Sequence, residues 1–145
     1  MSDSSFRTER RVEFCETDAA GIVHFSAFTQ YMEQAEHQLL RSLGLSVFSP
    51  TWEDEGHVSW PRVRVECDYH GAAKFEDVLE ITVDIVKLGS KSVTYAFQFR
   101  KGEAKIASGR IVVVCCLVQA GKPLQSVEIP AEIREKLNQH LVVSE

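Results

Sequence analysis

The chain has 145 residues, 44% of them hydrophobic, and a formal net charge of -5 at pH 7. This length and apolar content suit one globular domain over residues 1–145, with too little chain left for a second core. The 16 basic residues are dispersed among 21 acidic ones, which argues against a nucleic-acid surface and points to a small-molecule partner.

Residues 6–15 alternate around Val12 and Phe14, predicting a strand that ends at a turn over residues 16–21. The period then changes. Phe28, Tyr31, Met32, Ala35, Leu39 and Leu43 recur three or four apart, with Gln30, Glu33, Gln34, Glu36 and Gln38 between them, so the pattern predicts a helix with one buried stripe. With Ser26 as N-cap and Gly44 just past the end, that helix runs about 17 residues, or roughly 25 Å. Residues 46–56, with Pro50, Trp52 and the acidic Glu53-Asp54-Glu55, read as a connecting loop with room for one helical turn.

Three alternating strands follow, each with one face for burial: Val63, Val65, Cys67, Tyr69; Leu79, Ile81, Val83, Ile85; and Val93, Tyr95, Phe97, Phe99. Turn signals at residues 71–77, at Gly89-Ser90 and at Lys101-Gly102-Glu103 imply that successive strands pair antiparallel. The last strand, about residues 105–119, holds an unbroken apolar run from Ile111 to Val118 and reads as central or covered on both faces. Pro130 opens a short helix with Ile133, Leu137 and Leu141 as its stripe.

The sum is an α+β domain of hotdog outline: a five-stranded antiparallel sheet wrapped around one long helix, with a short C-terminal helix. Sheet edges and the outer helix face remain to be covered, which predicts a homodimer as the minimal unit; a homotetramer is the expected full assembly. The cysteines Cys15, Cys67, Cys115 and Cys116 form no Cys-x-x-Cys pair and have no zinc-type histidine spacing, so buried free thiols and no metal site are expected. There is no apolar signal core at the N-terminus and no run of about 18 apolar residues for a membrane span, so a cytoplasmic protein is expected.

The most informative stretch is Glu16-Thr17-Asp18-Ala19-Ala20-Gly21-Ile22-Val23-His24-Phe25. It sets a carboxylate beside a helix start, where unpaired N–H groups can polarise an acyl carbonyl. Asp before a helix is by itself commonly a turn or capping residue. The wider sequence adds weight to the chemical reading. Arg11-Val12-Glu13-Phe14, then Thr17-Asp18-Ala19-Ala20-Gly21-Ile22-Val23, resembles the N-terminal signature of the 4-hydroxybenzoyl-CoA thioesterase-like family of hotdog acyl-CoA thioesterases. Phe28, Tyr31, Met32, Glu33 and Ala35 fit the family helix; residues 62–69 with Phe75-Glu76-Asp77-Val78-Leu79 resemble its second block, and Lys91-Ser92 a third.

The resemblance implies hydrolysis of an acyl-CoA thioester without metal or organic cofactor, coenzyme A being part of the substrate, at a site between two subunits. It maps the catalytic aspartate onto Asp18, as nucleophile or as general base on water, and the oxyanion donor onto the backbone N–H of Phe25, with Gly21 permitting the turn. A thiol leaving group, with a reference pKa of about 8.5, needs little acid assistance, so one carboxylate and one oxyanion donor suffice. Departures bear on substrate: His24 stands where relatives carry an aromatic hydroxyl, and Glu33 and Trp60 match the positions that hold a 4-hydroxybenzoyl hydroxyl. Tryptophan for threonine dries that pocket, so 4-hydroxybenzoyl-CoA is not the default substrate. Lys87, Ser90, Lys91 and Ser92 are the implied contacts to the CoA phosphates, fewer in cations than the family pattern. Two other readings stay open: a hotdog acyl-thioester dehydratase or hydratase using His24 or His57 with a carboxylate, and a non-catalytic acyl-CoA-binding module.

Overall fold

The computed structural model describes residues 4–50 and 56–142, and its organising element is helix α1, Ala27–Ser42. Phe28, Tyr31, Met32, Ala35, Leu39 and Leu40 are buried along it. Its end matches the sequence pattern: Gly44 has φ +75°, Gly44 N–H donates to Arg41 O at 3.0 Å and Leu45 N–H to Leu40 O at 2.8 Å. These are the two bonds of a Schellman end, with glycine in the left-handed position. The start differs from expectation. Ser26 already has helical backbone angles and its side chain makes no capping bond. A further departure lies inside the stripe: Glu36, expected among the solvated positions, is fully buried.

The strands in chain order are β1 (Phe6–Arg11), β2 (Ser49–Pro50), β3 (His57–Ser59), β4 (Arg62–Tyr69), β5 (Val78–Leu88), β6 (Ser92–Lys101), β7 (Ala104–Val114), β8 (Cys116–Val118) and β9 (Gln125–Ser126). Five of them form an antiparallel sheet in the order β1-β5-β6-β7-β4. Leu79, Ile81, Val83 and Ile85 of β5 and Val93, Tyr95, Phe97 and Phe99 of β6 are buried with α1 in one core. Gly109 of β7 lets the helix in: a Cβ there would lie 2.5 Å from Met32 Sδ and 2.8 Å from the Glu66 carbonyl oxygen.

Several predicted elements change at their ends. β1 stops at Arg11 because residues 14–16 wind into a short 3₁₀ turn, with Glu16 Oε1 accepting Glu13 N–H at 2.7 Å; Phe14, expected to be inward, is 74% exposed. β4 does not pair with β5. Both sides of β5 are taken, by β1 and β6, so β4 pairs with β7 and forms an edge. There Val63, Val65 and Tyr69 are 61%, 45% and 49% exposed, against the expectation that this face is buried.

The long final strand also breaks. Cys115 N–H donates out of the ladder to Lys91 O at 2.6 Å, so β7 ends, and β8 enters a second sheet in the order β2-β3-β8-β9. β7 is therefore next to the edge rather than central, and Val112 and Val114 are only partly covered. Helix α2, Ala131–Leu137, buries Ile133 and Leu137, whereas Leu141 lies beyond it in a bridge with Ile85. Of the cysteines expected to be buried, Cys15 is exposed and Cys67 partly so. Trp52 and Glu53-Asp54-Glu55 lie outside the described residues. No helix among the described residues is long and apolar enough to cross a membrane.

Candidate active site

Residues 16–24 fold into a small hairpin. Thr17 bridges Val23, Asp18 N–H donates to Ile22 O at 2.9 Å, and His24 N–H to Glu16 O at 2.8 Å. Its tip closes through Gly21 N–H to Asp18 O at 2.9 Å, with Gly21 at φ +82°, a backbone state that disfavours a side chain. The motif carries two carboxylates, and the fold separates their roles. Glu16, with 10% side-chain exposure, pairs with Arg10, and its Oε1 accepts from Tyr31 Oη at 2.8 Å. The Arg10 guanidinium in turn sits 4.9 Å over the Tyr31 ring. Burial, with Glu16 beside it, pushes the Tyr31 hydroxyl well above its ordinary range, so it remains a donor to Glu16.

Asp18 is free of such pairing. Its Oδ1 accepts Ala20 N–H at 2.8 Å, which fixes the carboxylate orientation as in an Asx turn, and Oδ2 has no hydrogen-bond partner among the described residues. The side chain is half-buried at the loop surface.

At the helix start the imidazole of His24 does what Ser26 was expected to do. Its Nδ1 receives Ser26 N–H at 3.2 Å and meets Ser26 Oγ at 2.7 Å. Ala27 N–H donates to His24 O at 2.9 Å, while Phe25 N–H finds no acceptor among the described residues. The same peptide unit's neighbour is held: Tyr69 Oη of β4 donates to Phe25 O at 3.1 Å. A fixed, unsatisfied N–H at a helix start is the arrangement an oxyanion requires.

Glu33 and Trp60 meet at a residue that sequence reasoning did not single out. Arg62 Nη1 donates to Trp60 O at 2.8 Å and Nη2 to Glu36 Oε1 at 2.6 Å, with Glu33 Oε2 3.7 Å from Nη2. The Trp60 indole itself is core, at 5% exposure. A pocket of about 250 Å³ opens beside this cluster, lined by Thr29, Gln30, Glu33, Arg62, Val65 and Ile111. Burial pushes the Glu36 carboxyl up to about 7, Arg62 pulling the other way and Glu33 adding to the rise. The signal in the sequence was positional: Glu36 falls four residues after Met32, within the buried stripe.

The four expected CoA contacts share one region. Ser90, Lys91 and Ser92 form the β5–β6 turn, closed by Gly89 N–H to Ser92 O at 2.8 Å, and exposed Lys87 lies at the end of β5 leading into it. Arg134 of α2, also unanticipated, donates through Nη2 to Gly89 O at 2.6 Å and Ser90 O at 3.1 Å. A cation from the C-terminal helix thus reaches the turn where the chain itself has Gly89-Ser90.

The acid–base pair that a hydratase needs is not assembled among the described residues. His24 Nδ1 is engaged with Ser26, and His57 packs its ring 4.0 Å from that of Phe48. No group of three metal-ligating side chains occurs among those residues.

A family model described as the thioesterase-like superfamily matches residues 12–137, which include every site position named above except Arg10. The chain belongs to the thioesterase-like superfamily. Within that superfamily it is 28% identical over 115 residues to a 1,4-dihydroxy-2-naphthoyl-CoA hydrolase of Synechococcus elongatus, covering 79% of this chain and 82% of the relative. It is 24% identical over 134 residues to the acyl-CoA thioesterase YbgC of Haemophilus influenzae, covering 92% and 95%. Among solved structures, the gentisyl-coenzyme A thioesterase BH1999 superposes with a TM-score of 0.76 at 30% identity, covering 91% of this chain and 99% of that one. The superfamily resemblance read from residues 11–23 holds, and so does the hotdog fold.

Proposed function

We propose that the protein hydrolyses an acyl-CoA thioester to the free acid and CoA. The observation that carries this reading is the hairpin of residues 16–24: a carboxylate with one open oxygen, Asp18, leads directly into an open backbone donor, Phe25 N–H. The thioester carbonyl oxygen accepts from Phe25 N–H, and the positive end of α1 adds to the stabilisation. Asp18 either attacks the carbonyl carbon, giving an anhydride that water then opens, or takes a proton from the attacking water. In both routes the C–S bond breaks and the thiolate leaves as CoA. Gly21 keeps the turn tight, His24 holds the helix start, and no metal or organic cofactor takes part.

Glu33 and the Arg62 cluster line the acyl side, while Lys87, Ser90, Lys91 and Ser92 face the CoA phosphates. The working unit is a homodimer, and two dimers pair into a homotetramer. Support for the dimer comes from β4, an unpaired edge carrying exposed Val63, Val65 and Tyr69 next to the pocket. The chain works in the cytoplasm, where its four unpaired cysteines stay reduced.

The test is thiol release from aromatic, short, medium and long acyl-CoAs by wild type and Asp18→Asn in parallel. Wild type releases thiol from at least one class, and Asp18→Asn loses at least about 100-fold. Equal turnover by both proteins refutes the role of Asp18, and no release from any class refutes hydrolysis.

A further inference from the structure

Thioester hydrolysis makes no use of Glu36, although this carboxylate sits in the core at 0% side-chain exposure. One oxygen is bonded to Arg62, while Oε2 has no partner, the only buried side-chain oxygen or nitrogen so placed among the described residues. Retaining a half-satisfied acid in a core costs stability, so its retention calls for a role. Its partner provides one. Arg62, with 22% side-chain exposure, passes from Glu36 to the wall of the 250 Å³ pocket, where it stands 3.7 Å from the 53%-exposed Glu33.

We propose that Glu36, acting through Arg62, is a positioning residue that sets the charge of the acyl pocket and so selects between neutral and anionic acyl groups. The proposal rests on the thioesterase reading and goes beyond it. With Glu36 ionised, the guanidinium is compensated from the core side, and Glu33 leaves the wall net negative. With Glu36 protonated, the three groups sum to zero, and the guanidinium is free to attract an acyl carboxylate.

The carboxyl of Glu36 is held near 7, chiefly by burial, which puts the exchange at physiological pH. The other charged and titratable neighbours do not mimic it. Tyr95 of β6 has its hydroxyl pushed up by burial and by Glu36, so it stays neutral. His37 of α1 is lowered from its usual value by burial, with Glu33 opposing and Arg62 and Arg41 assisting, a shift that favours the neutral imidazole.

The experiment measures kcat/KM for adipyl-CoA and hexanoyl-CoA from about pH 6 to about pH 8 and takes their ratio, which cancels ionisations common to both. The adipyl carboxylate stays charged throughout. In wild type the adipyl/hexanoyl ratio rises about tenfold toward the lower pH, the effect of removing one unit charge from a partly wetted wall. In Glu36→Gln the ratio is flat and stays at its low-pH value, while His37→Gln keeps the wild-type profile. A flat wild-type ratio, or a profile unchanged in Glu36→Gln, overturns the proposal. The same ratio measured calorimetrically with the two non-hydrolysable thioether analogues separates the two readings. Failure to release thiol rejects hydrolysis, whereas the binding ratio still decides the role of Glu36.

Discussion

Glu36 also makes a quantitative demand on stability. Its carboxyl moves from an ordinary 4.5 in the unfolded chain to about 7 in the fold, so the folded state binds the extra proton between those values. Stability contributed by this group is therefore intact below about pH 4.5, falls as pH rises, and reaches its full deficit above about pH 7. The shift corresponds to about 3 kcal/mol. Glutamine keeps a hydrogen bond to Arg62 and cannot ionise, so Glu36→Gln matches wild type near pH 4.5 and exceeds it by about 3 kcal/mol at pH 8. For a chain of this length that is roughly 10 °C in Tm. Urea unfolding of both proteins at the two pH values, at one protein concentration, reads the difference directly. A stability gap that is the same at both pH values refutes the assignment of a buried, proton-poised Glu36, and a gap that widens toward low pH reverses its sign.

Val65→Asp places a charge on the exposed β4 edge, and its desolvation in a paired sheet costs about 1–3 kcal/mol, enough to raise the dissociation constant of the proposed dimer at least about fivefold in sedimentation velocity and to lower thiol release with it. A variant that sediments and turns over as wild type removes β4 from the interface. Tyr69→Phe deletes the hydroxyl that holds Phe25 O, and the loss of about 1 kcal/mol of orientation lowers kcat about fivefold while KM stays within about twofold. A change confined to KM shows that the bond serves binding instead.

Local chemistry was legible and long-range pairing was not. The α1 stripe and its Gly44 end could be read because three- and four-residue spacing and a left-handed glycine are properties of adjacent residues. The β5–β6 and β6–β7 hairpins were legible for the same reason. That β4 leaves β5 and joins β7 depends on which sheet edges are already filled, and alternation carries no such information. The apolar run through Val114 and Cys115 hid a strand break because the bond that makes it runs to the Lys91 carbonyl, a backbone group present at every position. Glu36 was misplaced because its polarity outweighed its spacing; its partner Arg62 lies 26 residues away.

The two carboxylates of residues 16–25 show why the candidate site needed three dimensions. In sequence, Glu16 and Asp18 are acids two residues apart, and only the family resemblance maps the catalytic aspartate onto Asp18. The fold distinguishes them through residues outside the motif. Arg10 from β1 and Tyr31 from α1 converge on Glu16 and consume its acceptors. Asp18 lies one alternation further along the hairpin, past the reach of both, and keeps an open oxygen. Those same two contacts anchor the hairpin to the sheet and to the helix whose start supplies Phe25 N–H. Glu16 is thus the post that holds carboxylate and donor in one frame, and Tyr69, tying Phe25 O to the edge strand, extends that frame to the surface where a second copy would pair. In the proposed dimer, cleavage and assembly meet at one residue, Phe25, whose carbonyl is fixed by β4 and whose N–H is open to the thioester.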